Sequence, residues 1–274
     1  HSLQNFIAAP DHDNRKTEMD STNHAFFAPC PRGLEAVLAD ELTDLGAADV
    51  KPTAGGVAFH GPLALCYRVN LQSRIASRIL LRIAEGSYRD EHDVYDAANA
   101  IRWQDWFTPQ QRIKVKVSAH HCPLKSLDFV TLRVKDAVCD RFQFARGKRP
   151  TVDTHAPDIL IAVYLDASTC TFYVDTSGEP LFKRGWRQSA GEAPIRENLA
   201  AGILRLSKWT ADTVLYDPMC GSGTFVIEAA LMARRVAPGI GRHFAFEKLL
   251  SFDAQRLNDL RTELKAMEIP IKPG

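Results

Sequence analysis

Residues 213–235 constrain this chain more than any other stretch. The apolar run "TVLY" (Thr213–Tyr216) leads into "DPMCGSGTF" (Asp217–Phe225), and "VIEAALMARR" follows at helical spacing. A strand that ends in an acid, then a two-glycine turn, then a helix is the pattern of one edge of an open α/β sheet. Such sheets bind ligands at the carboxyl ends of their strands. Gly221 and Gly223 have no side chain, so backbone N–H groups there can approach a ligand closely. Ser222 or Thr224 can cap the following helix, whose first turn favours negative charge.

The loop is not a P-loop, because no GKS or GKT places a lysine for a terminal phosphate. It is not the dinucleotide fingerprint either. Only "GSG" follows the strand, and a carboxylate at its end would repel a pyrophosphate. A carboxylate suits a cationic ligand instead. S-adenosylmethionine carries a sulfonium and an ammonium and no phosphate, so the loop chemistry favours that cofactor over a dinucleotide. The bland alternative is a glycine turn that holds nothing. A nucleophilic role for Cys220 has little support, since no basic residue lies near it in sequence to lower its pKa.

The rest of the chain alternates helical and strand patterns. "GLEAVLADELTDLG" puts Leu34, Val37, Leu38, Leu42 and Leu45 on one helical face, with Gly46 as a stop. "DVKPTAGGVAFHG" reads as two short strands around Gly55–Gly56, and "ASRILLRIAEG" as a further strand. "DVYDAANAIRW" is helical. "RIKVKVSA" alternates strictly, which predicts a half-buried strand with Lys114 and Lys116 on its outer face. "SLDFVTLRVKDAVCDRF" predicts a strong helix whose stripe is Phe129, Val130, Val134, Ala137, Val138 and Phe142. "DILIAVYLDASTCTFYVDTSG" reads as a hairpin. "GEPLFKRGWRQSAGEAP" is a Gly- and Pro-rich junction. Two further helices are predicted in the last part, on either side of "VIEAALMARR": one with Ile195, Leu199, Ile203 and Leu206 at helical spacing, the other over "FDAQRLNDLRTELKAM".

Charge and cysteine usage narrow the classes. The formal net charge of the 274 residues is +1, so any basic surface is local. Residues 111–190 hold 13 Lys/Arg against 8 Asp/Glu, which is either a solvated face or a phosphate-backbone surface. No apolar run reaches the roughly 18 residues that cross a membrane, and the first 24 residues carry no signal-peptide pattern. The six cysteines have no CxxC spacing, which suggests free thiols in a reducing cytoplasm and no metal site. The "HHC" at His120–Cys122 reads as a loop with incidental histidines.

"LYDPMCGSGTFVIEAALMA" closely resembles the cofactor loop of the THUMP-domain RNA guanine-N2 methyltransferases. "APIRENLAAGIL" resembles the helix before that loop. "RGLEAVLADELTDLGA", "GGVAFHG", "RIASRILL", "TLRVKDAVCDRF" and "HAPDILIAVYLD" follow the family's amino-terminal half in order, and "GEPLFKRGWR" resembles its junction. Within the family the likeness is to the enzymes of bacterial large-subunit (23S) ribosomal RNA, the RlmL type. The loop alone is shared with DNA adenine-N6 methyltransferases.

The resemblance implies an α/β and α+β fold. After a flexible extension (1–24), a ferredoxin-like region (25–90) would interleave with a THUMP RNA-binding domain (65–175). A junction (176–192) and the start of a class I, Rossmann-like methyltransferase domain (193–274) would follow. The implied cofactor is S-adenosylmethionine, with Asp217, Pro218, Met219, Cys220, Gly221, Ser222, Gly223 and Thr224 lining its methionyl end and Pro194 and Ile195 close by. The implied partner is ribosomal RNA, with no metal and no membrane. THUMP-like architecture, the local basic excess and the junction point to Lys125, Arg133, Lys135, Lys183, Arg184 and Arg187 as RNA contacts. Trp186 could stack on a base, though burial between domains suits it better. The family continues to an acidic ribose-binding residue and an Asn-Pro-Pro-Tyr catalytic loop, neither of which this sequence contains. No catalytic residue is therefore assigned, and the chain is expected to bind RNA, to bind cofactor weakly and to be inactive alone. A non-catalytic RNA-binding module is the alternative reading.

Overall fold

Strand β1 (His24–Pro29) shows why the sheet forms where it does. Its inward residues Phe26 and Ala28 are buried, and Phe26 stacks on Phe59 with ring centroids 5.1 Å apart. Phe59 lies on β3 (Gly56–Gly61), which pairs antiparallel with β1 in the register Phe26↔Phe59. Helix α1 (Glu35–Asp44) and strand β2 (Ala48–Thr53) come between them in sequence. The β2–β3 turn needs both its glycines. Gly55 has φ +85°, and a Cβ on Gly56 would meet the Ala28 carbonyl at 2.6 Å. The computed structural model describes residues 23–187 and 195–270.

Helix α2 (Leu65–Gln72) leads to β4 (Leu80–Ser87), and β4 joins two halves of the sheet. It pairs antiparallel with β1 through Phe26↔Leu81 and with β7 (Thr169–Asp175) along its whole length. Between β4 and β7 run α3 (Glu91–Ala100), β5 (Ile113–Ala119), α4 (Leu127–Arg146) and β6 (Ile159–Leu165). The seven strands form one sheet in the order β2-β3-β1-β4-β7-β6-β5, antiparallel except for β5–β6. The parallel pair requires a crossover, and α4 supplies it. β5 is an edge strand, where Lys116 faces outward and Lys114 Nζ donates to the Thr154 carbonyl at 2.8 Å. Lysines on an edge discourage pairing with other chains.

The predicted hairpins and strands of residues 24–175 are found. Helix α4 differs in one position. Ser126 caps its start by accepting from Phe129 N at 3.2 Å, and Gly147 ends it in the left-handed conformation. Val130, Val134, Ala137, Val138 and Phe142 are buried as expected, but Phe129 is 50% exposed. Its helical neighbours three and four residues on are Leu132 and Arg133, so it shares their outer face.

The last part departs further from expectation. Helix α5 (Glu197–Leu206) buries Asn198, Ala200, Ala201 and Leu204, while Ile203 and Leu206 of the expected stripe are exposed. Small residues win because α5 lies against the entry of α1, where a Cβ on Gly202 would sit 2.2 Å from Leu34 Cδ1. The expected strand "TVLY" belongs to no sheet, and Val214 and Tyr216 are 91% and 82% exposed. A strand needs a partner ladder for its backbone groups, and none lies beside these residues among the described ones. Helix α6 (Thr224–Ala233) and helix α7 (Ala254–Ala266) form as predicted, α7 burying Leu257, Leu260 and Leu264.

The segment between α6 and α7 docks on α2. Tyr67 stacks on Phe246 at 4.4 Å, and its hydroxyl accepts from Asp253 N at 3.0 Å. Gly239 N donates to the Leu71 carbonyl at 2.9 Å, and a Cβ at Gly239 would lie 2.8 Å from the Asn70 carbonyl and 2.9 Å from Leu71 Cα. Both obstacles are backbone and cannot swing away. Gly239→Ala is therefore expected to lose about 1–3 kcal/mol of stability, seen as a lower urea midpoint at an unchanged m-value.

Candidate functional site

The glycine loop runs from Asp217 to the first turn of α6. Asp217 Oδ1 accepts from Met219 N at 3.1 Å, which turns the chain after the acid. Gly223 N donates to the Cys220 carbonyl at 2.7 Å and closes a second turn. Gly221 and Gly223 have φ +52° and +74°, where a side chain would be strained. Pro218, Met219, Cys220, Gly221 and Ser222 are exposed, Asp217 and Gly223 are half-buried, and Thr224 is buried. No side chain caps α6, so its first amides are left for another acceptor. The exposed turn thus brings unpaired helix amides and one carboxylate close together in sequence, beside two hydroxyls.

Two junction arginines hold this loop. Arg187 Nε donates to Glu197 Oε1 at 2.9 Å, Nη1 to Ser222 Oγ at 3.0 Å, and Nη2 to the Ile195 carbonyl and to Thr224 Oγ1, each at 3.0 Å. Ile195 and the loop are brought together by this one guanidinium. Pro194 lies outside the described residues. Arg184 enters the core one turn further along the same face of α6, where its side chain is 2% exposed and pairs with Glu228 at 3.4 Å. It also donates to the carbonyls of Leu181 and Arg74, each at 2.7 Å.

Glu228 is fully buried and faces a second arginine, Arg74, at 3.5 Å. That distance marks attraction between charges rather than a well-formed hydrogen bond. Arg74 Nη2 also donates to the carbonyls of Leu231 and Val236. Burial lowers the Arg74 pKa to about 10, against the opposing pull of Glu228. Next to it, Glu41 accepts from Arg74 N and Ile75 N at 3.1 and 3.3 Å and pairs with Arg205 at 3.2 Å. Removing one partner of a buried pair leaves a charge uncompensated. Glu228→Ala is expected to lose about 3–5 kcal/mol of unfolding free energy, measured by urea titration.

The six residues expected to contact RNA separate into groups. Lys125 stands exposed before α4. Lys183 is exposed and pairs with Glu179 at 2.5 Å. Lys135 is half-buried beside Asp136 at 2.5 Å, and the Arg133 guanidinium lies over the Tyr95 ring at 4.3 Å. Arg184 and Arg187 turn inward, which corrects the expectation that they reach a phosphate. The cause is the pair of buried carboxylates, Glu228 and Glu197, that take them. Trp186 is half-buried, with Arg187 5.3 Å from its ring centroid. The sequence reading missed Arg74, Glu41, Glu197 and Glu228. An acid set in the apolar run "VIEAALMA" was the available signal for Glu228.

Around "HHC", Tyr88 OH lies 3.2 Å from Cys122 Sγ, and the two histidine rings are 3.9 Å apart. Among the described residues no group of three His, Cys, Asp or Glu could hold a metal, and no helix is long and apolar enough to cross a membrane. The free thiols differ in access. Cys220 is exposed on the loop, whereas Cys66, Cys139 and Cys170 are buried and their pKa values are raised by that burial. Burial also lifts half-buried Cys30 to about 12. At neutral pH, iodoacetamide is expected to modify Cys220 first and to reach the three buried thiols only after unfolding, read by peptide mass mapping.

A mixed seven-stranded sheet is followed by a helix-rich segment that carries an acid-glycine loop. Three family models match in this order: an RlmL ferredoxin-like domain over residues 25–80, a THUMP domain over 88–175 and an RMKL-like methyltransferase domain over 184–270. The chain is 42% identical over 233 residues to the ribosomal RNA large subunit methyltransferase K/L of Cellvibrio japonicus, covering 83% of this chain and 31% of that one. It is also 42% identical over 239 residues to the protein of that name from Aeromonas salmonicida, covering 87% and 33%. The crystal structure of SMU.472 complexed with SAH superposes with a TM-score of 0.81 at 31% identity, covering 90% of this chain and 66% of that one. The chain belongs to the THUMP-containing methyltransferases described by these models. It spans about a third of the length of the K/L relatives.

Proposed function

We propose that the protein containing this chain methylates guanine N2 in large-subunit ribosomal RNA, with S-adenosylmethionine as methyl donor. In this reading the sheet of β1–β7 binds RNA, the junction spans 176–192, and residues 193–274 open a class I methyltransferase domain. The observation that carries it is the attachment of the Asp217–Thr224 loop to the THUMP-bearing half through Arg184 and Arg187. The two halves act on one substrate, so a fixed distance between RNA surface and cofactor loop serves the reaction. The ribosomal RNA substrate and the free thiols suit a bacterial cytoplasm.

The loop fits that cofactor. A Cβ on Gly221 would meet nothing within 4 Å, so its backbone is open to a ligand. Asp217, together with Pro218, Met219, Cys220, Ser222 and Thr224, would hold the methionyl end, with Ile195 beside it. The sulfonium supplies an electrophilic methyl group. The chain's own contribution is to orient it: the Asp217 carboxylate attracts the ligand's positive charge, and the free amides of α6 face its carboxylate. The target base must leave its stack to come within reach. Lys125 and Lys183 are the exposed candidates for phosphate contact, with Arg133 and Lys135 beside Lys125 on α4.

In the protein carrying this chain, Asp217→Ala is expected to weaken cofactor binding about ten- to a hundredfold, the loss of one charge-assisted contact worth about 1.5–3 kcal/mol. Calorimetry showing unchanged affinity would remove Asp217 from the site. Methyl transfer is followed as N2-methylguanosine in digests of unmodified 23S RNA. Methyl groups on DNA adenine instead would overturn the RNA reading. The exposure of Val214, Tyr216 and Met219 beside the loop favours a second description of the 274 residues alone, as an RNA-binding module. That module should bind structured RNA with strong salt dependence. Lys125→Ala with Lys183→Ala should flatten the log–log salt slope by about 0.9 for each phosphate that no longer meets a lysine.

A further inference from the structure

The junction pentapeptide "KRGWR", Lys183–Arg187, reads at first as an RNA contact, yet its two arginines grip α6 at two places. Arg184 meets Glu228 one turn into the helix, and Arg187 meets Ser222 and Thr224 at its start. Gly185, with φ +92°, makes the bend that sends the two side chains to different sites. The pentapeptide is itself fastened to the sheet-bearing half. Leu181 N donates to the Ser77 carbonyl at 2.8 Å, and Arg184 Nη2 to the Arg74 carbonyl at 2.7 Å.

Arg187 is placed against the electrostatics of the helix. The N-terminus of α6 carries partial positive charge and favours an acid, not a guanidinium. Glu197, 6% exposed, compensates the charge from one side. A salt bridge to Glu197 alone would need only Nε. The two terminal nitrogens are spent on the Ile195 carbonyl and on the hydroxyls of Ser222 and Thr224, whose own separation is 3.4 Å. One planar fork thus fixes the segment before α5 and both hydroxyl-bearing residues of the glycine turn, which a lysine's single nitrogen could not do.

We propose that Arg187 is a positioning residue for the glycine turn, holding Ser222 and Thr224 at a set place relative to the RNA-binding half. The proposal deepens the reading of Asp217–Thr224 as a cofactor loop and rests on it for its purpose. The geometry it asserts is independent of any ligand.

The test is hydrogen–deuterium exchange of the 274-residue chain, without cofactor, followed in peptides covering 217–230. Arg187→Ala orphans Glu197, so the deciding variant is Arg187→Ala with Glu197→Gln, which removes the stranded carboxylate. Exchange of the hydrogen-bonded amides in these peptides, Gly223 N on the Cys220 carbonyl and Ile227 N on the Gly223 carbonyl, is expected to rise about tenfold in this double variant while β6 and β7 stay as in the wild type. Glu197→Gln alone should leave the turn protected, and Arg187→Lys should give an intermediate rate because one nitrogen replaces three. Wild-type exchange at the turn in the double variant overturns the proposal. So does a rise shared equally by β6 and β7, which marks general loss of stability. A separate calorimetric titration of the protein carrying this chain with S-adenosylmethionine tests the cofactor reading, so the two ideas fail by different measurements.

Discussion

Glu228 is an acid with no access to water, in a helix that is otherwise apolar after Thr224. A lone buried carboxylate is among the least favourable things a protein can contain. Its presence commits the fold to bring cations to it, and the two that come, Arg74 and Arg184, arrive from different parts of the chain. Arg74 follows α2, and Arg184 sits in the junction. Each also donates to backbone carbonyls: Arg74 Nη2 to Leu231 and Val236, and Arg184 Nη1 and Nη2 to Leu181 and Arg74. The network therefore specifies geometry as well as neutralising charge. Apolar packing against α5 alone would let α6 rotate or slide, whereas these directional contacts restrain it.

The same logic extends outward in smaller steps. Glu41 on α1 receives the backbone of Arg74 and Ile75 and the hydroxyl of Ser73, so the loop bearing Arg74 is itself fixed. Asn198 on α5 donates to the Ile75 carbonyl and the Ser77 hydroxyl, each at 3.1 Å. The short stretch from Ser73 to Ser77 thus serves α1, α5, α6 and the junction together. Arg74 Nη1 and Glu228 Oε2 face each other at 3.5 Å without a hydrogen bond and Asn198 Oδ1 has none among the described residues, so charge attraction carries that part of the network.

Much of the fold was legible because periodicity is a local signal. Alternation in "RIKVKVSA" and the stripe of α4 report burial directly, and the glycines at 55, 147, 221 and 223 mark turns that demand positive φ. What failed depended on distant partners. "TVLY" carries strand-forming residues, but a strand exists only beside another strand. The face of α5 was misjudged because a close approach to Leu34 selects small residues over Ile203 and Leu206. In the site, the glycine loop could be read in place. The fate of "KRGWR" could not, since nothing local tells whether an arginine faces solvent or a buried acid many residues away. Arg187 and Ser222 are 35 residues apart, and Arg184 and Glu228 are 44 apart.

The position of β4 has a consequence for how such proteins can change. Three family-sized segments follow one another here, as though they could be exchanged like modules. Yet β4 lends one edge to β1 and the other to β7, and Phe26 must stand opposite Leu81 for the seven strands to continue. Recombination between the first two segments would have to keep that register, because a shift of one residue turns every side chain of the joining strand to the wrong face. The boundary visible in the sequence is thus a poor place to cut, and inheritance of the two segments as one piece follows from the hydrogen bonds of a single strand.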